Sequence, residues 1–191
     1  MSHLITFFLA WILADLFTGL VHWWQDHYLN NDSKFSYLNR LSRDNDLHHR
    51  EPTSLNRHSY WGSIDTSAFI AWPLCLALIA INAPNLLVMT IFFSSFANII
   101  HRLAHDPVNQ LHPIIRFLQK TGFFLSGHHH NVHHYLDGQV ISKEDTQVRY
   151  CVMTNWLNSM IDRLQIFILL EDGLEWFGIE TTKVRNQYSP K

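Results

Sequence analysis

Cysteine is nearly absent from this sequence. Cys75 and Cys151 are the only two in 191 residues, far apart and each in apolar surroundings. That excludes a disulfide scaffold and a cysteine-rich zinc module, so metal chemistry here must use nitrogen and oxygen ligands. Basic residues are sparse too. Lys and Arg number 14 against 16 Asp and Glu, for a formal charge of −2, which leaves no electrostatic footprint for nucleic acid. The N-terminus carries an apolar run but lacks the basic segment and small-residue cleavage site of a secretory signal.

What the chain has in quantity is aromatic and apolar residues, unevenly spread. Residues 4–21 form an eighteen-residue run with one charge, Asp15, followed by Trp23 and Trp24. The length suffices to span a bilayer, and the tryptophans stand where an interfacial belt belongs. Residues 25–63 turn polar and charged, with a helix expected to end near His48 or to start after Pro52. Residues 67–100 are apolar again, broken only at Asn82-Ala83-Pro84-Asn85, which predicts a helical hairpin. Segments 112–127 and 150–170 are aromatic and partly apolar. They read as interfacial or re-entrant, 150–170 as an interfacial helix. Every Lys and Arg lies at 34–57 or from 102 onward, which by the positive-inside rule sets those segments in the cytoplasm. The expected fold is all-α: a polytopic membrane helical bundle of three to four spans plus interfacial helices, with its histidines on the cytoplasmic side. One domain is expected over 1–191, its motif-bearing core at about 12–165 and a polar tail of little consequence at about 171–191.

The string His128-His129-His130-Asn131-Val132-His133-His134 puts five of the 14 histidines within seven residues. The pairs 129/133 and 130/134 stand one helical turn apart, so their rings can converge on one or two ions. The same spacing recurs at His22/Asp26 and at His101/His105, with Asn98 three residues before His101 on its face. His48-His49 adds a vicinal pair. Asp15 lies inside the first apolar run, where an ionisable group is expensive and turns toward protein. It stands about 10 Å from His22 along the helix, which suits a tether between helices, or a group behind the ligands, better than a ligand. The expected ligands are His22, His48, His49, His101, His105, His129, His130, His133 and His134. Asp26 and Asn98 are the candidate catalytic groups, Asp26 as a ligand or as the group orienting His22, and Asn98 as the holder of a water. His58 is a further ligand or supporting group. His3, His27 and His112 are expected to be unrelated surface or interfacial histidines. Nine imidazoles and a carboxylate exceed what one tetrahedral zinc takes and suit two ions of higher coordination. The donor set fits iron best, with zinc and manganese left open.

The order of these pieces resembles a known family. Asp15-Leu16-Phe17-Thr18-Gly19-Leu20-Val21-His22-Trp23, Asp26, His48-His49 with Glu51-Pro52-Thr53, Arg57-His58, Asn98 with His101 and His105, the HHxxHH box at 129–134 and Asn155-Trp156-Leu157-Asn158 are similar to the plasmanylethanolamine desaturase, or Kua-type, lipid desaturases. The resemblance covers roughly residues 12–165 in the same order. It implies a small membrane di-iron enzyme that uses O₂ to dehydrogenate an acyl or alkyl chain of a phospholipid, forming in some members the vinyl ether of plasmalogens. It also implies an external electron donor, a ferredoxin or a small cytochrome with its reductase. The chain departs from the pattern at His128, where relatives carry a basic residue, which leaves the exact substrate open. Competing expectations are a fatty-acyl desaturase or hydroxylase on another lipid, a membrane zinc hydrolase, and a metal sensor or transporter. The hydrolase lacks an HExxH arrangement, and a transporter would place ligands near the bilayer midplane, where only Asp15 stands.

Overall fold

The first apolar run becomes α1 (His3–His27), which buries Ala10, Ala14, Asp15, Thr18, Gly19, His22 and Asp26 along one face. Its outer face exposes Leu9, Leu13, Phe17, Val21 and Trp24. A helix apolar on the outside as well as the inside suits lipid rather than water. The computed structural model describes residues 3–29, 34–57 and 59–179, the side chains of residues 65, 66 and 144 aside.

α2 (Ser36–Arg50) ends just beyond His49, and Pro52–Arg57 continue as a 3₁₀ turn. α3 (Tyr60–Ala80) and α4 (Asn85–Ser94) form the expected hairpin, turned through Asn82 at φ 54°. α4 runs on into α5 (Ala97–His105), broken at Ser95 and Phe96. The break is closed from α3: Ser67 Oγ donates to the Ser95 carbonyl at 2.8 Å and Trp72 Nε1 to Ser95 Oγ at 3.3 Å. Such side-chain pairing lets an apolar helix bend without stranding a backbone group. Two helices, His3–His27 and Asn85–His105, are long and apolar enough to cross a membrane; Ser67–Ala80 is apolar but shorter. Against the expected three to four spans, two helices of sufficient length are found among the described residues.

Past α5 the chain folds back beside α1. α6 (Pro113–Lys120) buries Gln119, whose Nε2 donates to the Leu103 carbonyl at 3.0 Å, and leaves Ile114 and Phe117 exposed. At the following bend Phe123 stacks on Trp11 with centroids 4.8 Å apart. α7 (Gly127–His134) then returns toward His22, its N-terminus capped by Ser126 Oγ, which accepts from His129 N. A two-residue hairpin, β1 (Tyr135–Leu136) against β2 (Gln139–Val140), turns on Asp137-Gly138, both at positive φ as a type I′ turn requires.

The interfacial helix expected over 150–170 is replaced by something else. Residues 150–155 form neither helix nor strand and are mostly buried, followed by α8 (Trp156–Arg163) and α9 (Ile166–Trp176). Such a segment in a helical core has no sheet to satisfy its backbone groups; residues 122–125 meet some, Leu125 N donating to Met153 O at 2.8 Å and Asn155 N to Gly122 O at 3.0 Å, and side chains meet others. Asn158 accepts from Cys151 N at 2.9 Å and donates to Cys151 O at 2.8 Å. Asp15 accepts from Met153 N at 2.8 Å and from Thr154 Oγ1 at 2.6 Å. Asp15 therefore tethers this segment to α1 and belongs to no ligand cluster. α9 also runs six residues into the stretch expected to be an inert tail. There Glu171 accepts from Trp23 Nε1 at 3.2 Å.

Asp15→Ala strands both donors and is expected to cost about 1–3 kcal/mol for each. Asp15→Asn is milder: its carbonyl still receives Met153 N–H, and the Thr154 hydroxyl can rotate to accept from the amide. Thermal unfolding in detergent reads the difference, and equal losses in the two variants would refute the tether.

Candidate metal centre

Four helices deliver side chains to one place. α1 brings His22 and Asp26, α2 His48 and His49, α5 His101 and His105, and α7 His130, His133 and His134. Consecutive residues on a helix point about 100° apart, so each vicinal pair divides. His48 joins His101, His105, His130 and His134 in one group, while His49 joins His22, Asp26 and His133 in a second. The groups abut: His133 and His134 have ring centroids 5.0 Å apart, and His22 and His101 are 5.3 Å apart.

Within each group the ligand atoms lie within 4.8 Å of one another. In the five-histidine group, His48 Nε2 is 3.0 Å from His101 Nε2, His101 Nε2 is 2.7 Å from His130 Nε2, and His130 Nε2 is 3.0 Å from His134 Nε2. Bonds of about 2.1 Å to a common ion put neighbouring nitrogens roughly 3 Å apart, so the spacing fits a metal. His105 Nε2 is buried beside them with no hydrogen-bond partner. In the second group, His22 Nε2, His133 Nε2 and Asp26 Oδ2 are likewise orphaned. His133 Nε2 and His22 Nε2 stand 3.4 and 3.7 Å from Asp26 Oδ2, and His49 Nε2 stands 3.1 Å from Oδ1. A buried carboxylate oxygen, Oδ2, facing only imidazoles calls for a cation.

The backbone prepares these rings. His22 Nδ1 donates to the Tyr150 carbonyl at 3.1 Å and His133 Nδ1 to the Val148 carbonyl at 2.8 Å. Each bond puts the proton on Nδ1 and leaves Nε2 bare toward the centre. Asn45 Nδ2 donates to Asp26 Oδ1 at 2.8 Å, which turns Oδ2 inward. Burial pushes the imidazoles of His48, His130, His133 and His134 below the ordinary histidine range, so they stay neutral, as ligands must.

A lipid desaturase domain matches residues 11–183. The chain belongs to the lipid desaturase family. It is 27% identical over 168 residues to fatty acid desaturase 4-like 2, chloroplastic, of Arabidopsis thaliana, covering 86% of this chain and 57% of that protein. It is 24% identical over 179 residues to plasmanylethanolamine desaturase of Myxococcus xanthus, covering 88% and 59%, and 26% identical over 183 residues to plasmanylethanolamine desaturase 1 of Mus musculus, covering 86% and 62%. The chain thus spans about six-tenths of the length of those relatives. No solved structure gives a significant match.

Not every expected site residue reaches a cluster. His129 lies one turn before His133 and outside both groups, half-buried, with Arg149 Nη1 donating to its Nδ1 at 2.7 Å. Burial, then the Arg149 charge, holds that ring at about 4. Asn98 is partly buried in the first turn of α5 on the His101 face. His58 lies outside the described residues. His3 and His112 are exposed as expected, but His27 is not: it is buried, and its Nε2 bonds to Tyr150 Oη at 2.6 Å and Thr146 O at 3.1 Å. Tyr150, Asn45 and Glu171 escaped sequence reasoning. Each acts through a partner more than a helical turn away in the chain, and no spacing signals that.

Proposed function

We propose that this chain is a membrane-bound, O₂-dependent di-iron desaturase that introduces a double bond into an acyl or alkyl chain of a phospholipid, in the manner of plasmanylethanolamine desaturase. The observation that carries the reading is the pair of abutting groups whose donor atoms converge within 4.8 Å, with His22 Nε2, His105 Nε2, His133 Nε2 and Asp26 Oδ2 lacking partners, set against apolar helices. His48, His101, His105, His130 and His134 would hold one ion; His22, His49, His133 and Asp26 would hold the other. The oxidising power needed to remove two hydrogens from unactivated carbons is what iron supplies when bound, with O₂ as co-substrate. The chemistry balances when O₂, two electrons and two protons join the two chain hydrogens and leave as two waters. The electrons come from an external carrier such as a ferredoxin or small cytochrome.

The protein's own part is placement and exclusion. Nearly all ligand side chains are buried, so bulk water is kept from the reacting carbons. Asn98, on the ligand face of α5, is assigned to hold a water. The basic segments at 34–57 and from 102 onward support a centre on the cytoplasmic side. An acyl rather than an alkyl substrate is the second reading, favoured by the names of the Arabidopsis relatives, two of which are fatty acid desaturases. A hydroxylase would add oxygen to the chain, and a zinc hydrolase would work without O₂.

The test is lipid mass spectrometry of cells with and without the protein, grown with and without O₂, alongside metal analysis of the purified chain. The expected result is an O₂-dependent loss of two hydrogens from one phospholipid class and iron in the protein. A product gained without O₂, or zinc alone in an active preparation, would overturn the proposal.

A further inference from the structure

Arg102 follows His101 on α5 and carries its charge into a buried position, 8% exposed. Nη2 reaches the Asn56 carbonyl at a long 3.5 Å, and the guanidinium carbon lies 4.1 Å from the Tyr60 ring centroid. Nε and Nη1 are buried with no hydrogen-bond partner, and among the described residues no carboxylate makes an ion pair with the guanidinium. An unpaired buried guanidinium is expensive, and its planar fork of donors matches a phosphate. Nothing in the metal centre uses it.

Its surroundings set the level at which it works. Tyr60, 48% exposed, covers the guanidinium and is held at its far end by a long 3.3 Å bond from its hydroxyl to Asp106 Oδ2. Asp106 is the carboxylate facing this ring. Beside it Trp61 is 80% exposed at the start of α3, and Trp24 is exposed near the end of α1. Exposed aromatic residues at the ends of apolar helices lie at headgroup level in a bilayer, where phosphodiesters are.

We propose that Arg102 seats the phosphate diester of the phospholipid whose chain is desaturated, with Tyr60 moving aside to admit it. The proposal rests on the desaturase reading for its substrate and adds the group that anchors it. Arg102 follows His101 on α5, so a phospholipid held there has its headgroup against the helix that carries His101 and His105.

Binding tests this without turnover. Metal-loaded full-length protein in detergent is titrated with phosphatidylethanolamine, with diacylglycerol bearing the same chains, and with inorganic phosphate, and bound lipid is read by native mass spectrometry. The wild type is expected to prefer the phospholipid over diacylglycerol by about tenfold or more, as a charge-assisted hydrogen bond implies. Arg102→Gln removes that preference and leaves metal content intact. Arg102→Lys, which keeps the charge without the fork, retains part of it and decides the matter if the Gln variant fails to load metal. An unchanged preference in either variant, or none in the wild type, overturns the proposal. Saturable binding of inorganic phosphate that does not compete with phospholipid overturns the lipid assignment. If the desaturase reading alone fails, the headgroup preference survives with no loss of hydrogen from any chain.

Discussion

Replacing His130 or His133 by alanine is expected to abolish turnover and to strip metal from different groups of the same centre. His130 Nε2 stands between His101 Nε2 at 2.7 Å and His134 Nε2 at 3.0 Å, so its loss opens the five-histidine group. His133 Nε2 faces Asp26 Oδ2 at 3.4 Å, and its loss opens the group that holds the carboxylate. Removing a partner behind a metal ligand costs about 10–100-fold in affinity or activity, and removing the ligand itself costs more. α7 survives both changes because alanine is the best helix former. His129→Ala is the discriminating control: the ring bonds to Arg149 and joins neither group, so metal and product should persist. Metal per chain and the two-hydrogen mass change are the readouts. Full metal in His130→Ala, or metal lost from His129→Ala, would show that α7 presents a different face to the centre.

His129 also marks where periodicity stops being informative. Spacing of four residues puts 129/133 and 130/134 on two neighbouring faces, and by sequence alone both faces are equal candidates. The fold breaks the tie because α7 approaches α5 through Gly127, which brings residues 130, 133 and 134 inward and leaves 129 at the rim beside Arg149. Much else was legible for local reasons. Apolar runs predict α1 and the α3–α4 hairpin, Pro52 closes α2 just past His49, and one-turn pairs mark α1 and α5. The irregular segment at 150–155 was not legible, because its partners are the backbone at 122–125, Asp15, 138 residues away from Met153, and Asn158. Asp15 was readable as a tether, but its partner was not. The same holds for Tyr150: its carbonyl orients His22 across 128 residues, and a carbonyl leaves no mark on the sequence.

Gly127→Ala should cost nearly as much function as losing a ligand, although it touches no donor atom. A methyl group built at Gly127 would sit 2.5 Å from the Ala104 carbonyl oxygen, a backbone atom that cannot swing away. In an exposed helix the same change would stabilise by about 1 kcal/mol through propensity, so any loss must come from contact. Relief requires α7 to move off α5, and the overpacking costs typically about 1–3 kcal/mol in fold stability. The consequence for metal is larger, because α7 carries His130 and His134 while α5 carries His101 and His105. Metal–ligand distances tolerate about 0.2 Å, well below the shift needed to clear such a clash. Gly127→Ala is therefore expected to fold, enter the membrane and lose metal from the five-histidine group first. Metal content per chain, read beside the thermal midpoint, checks it. A variant that loads metal fully at unchanged stability would mean that α5 and α7 do not meet at this point, and the convergence of their histidines would fall with it.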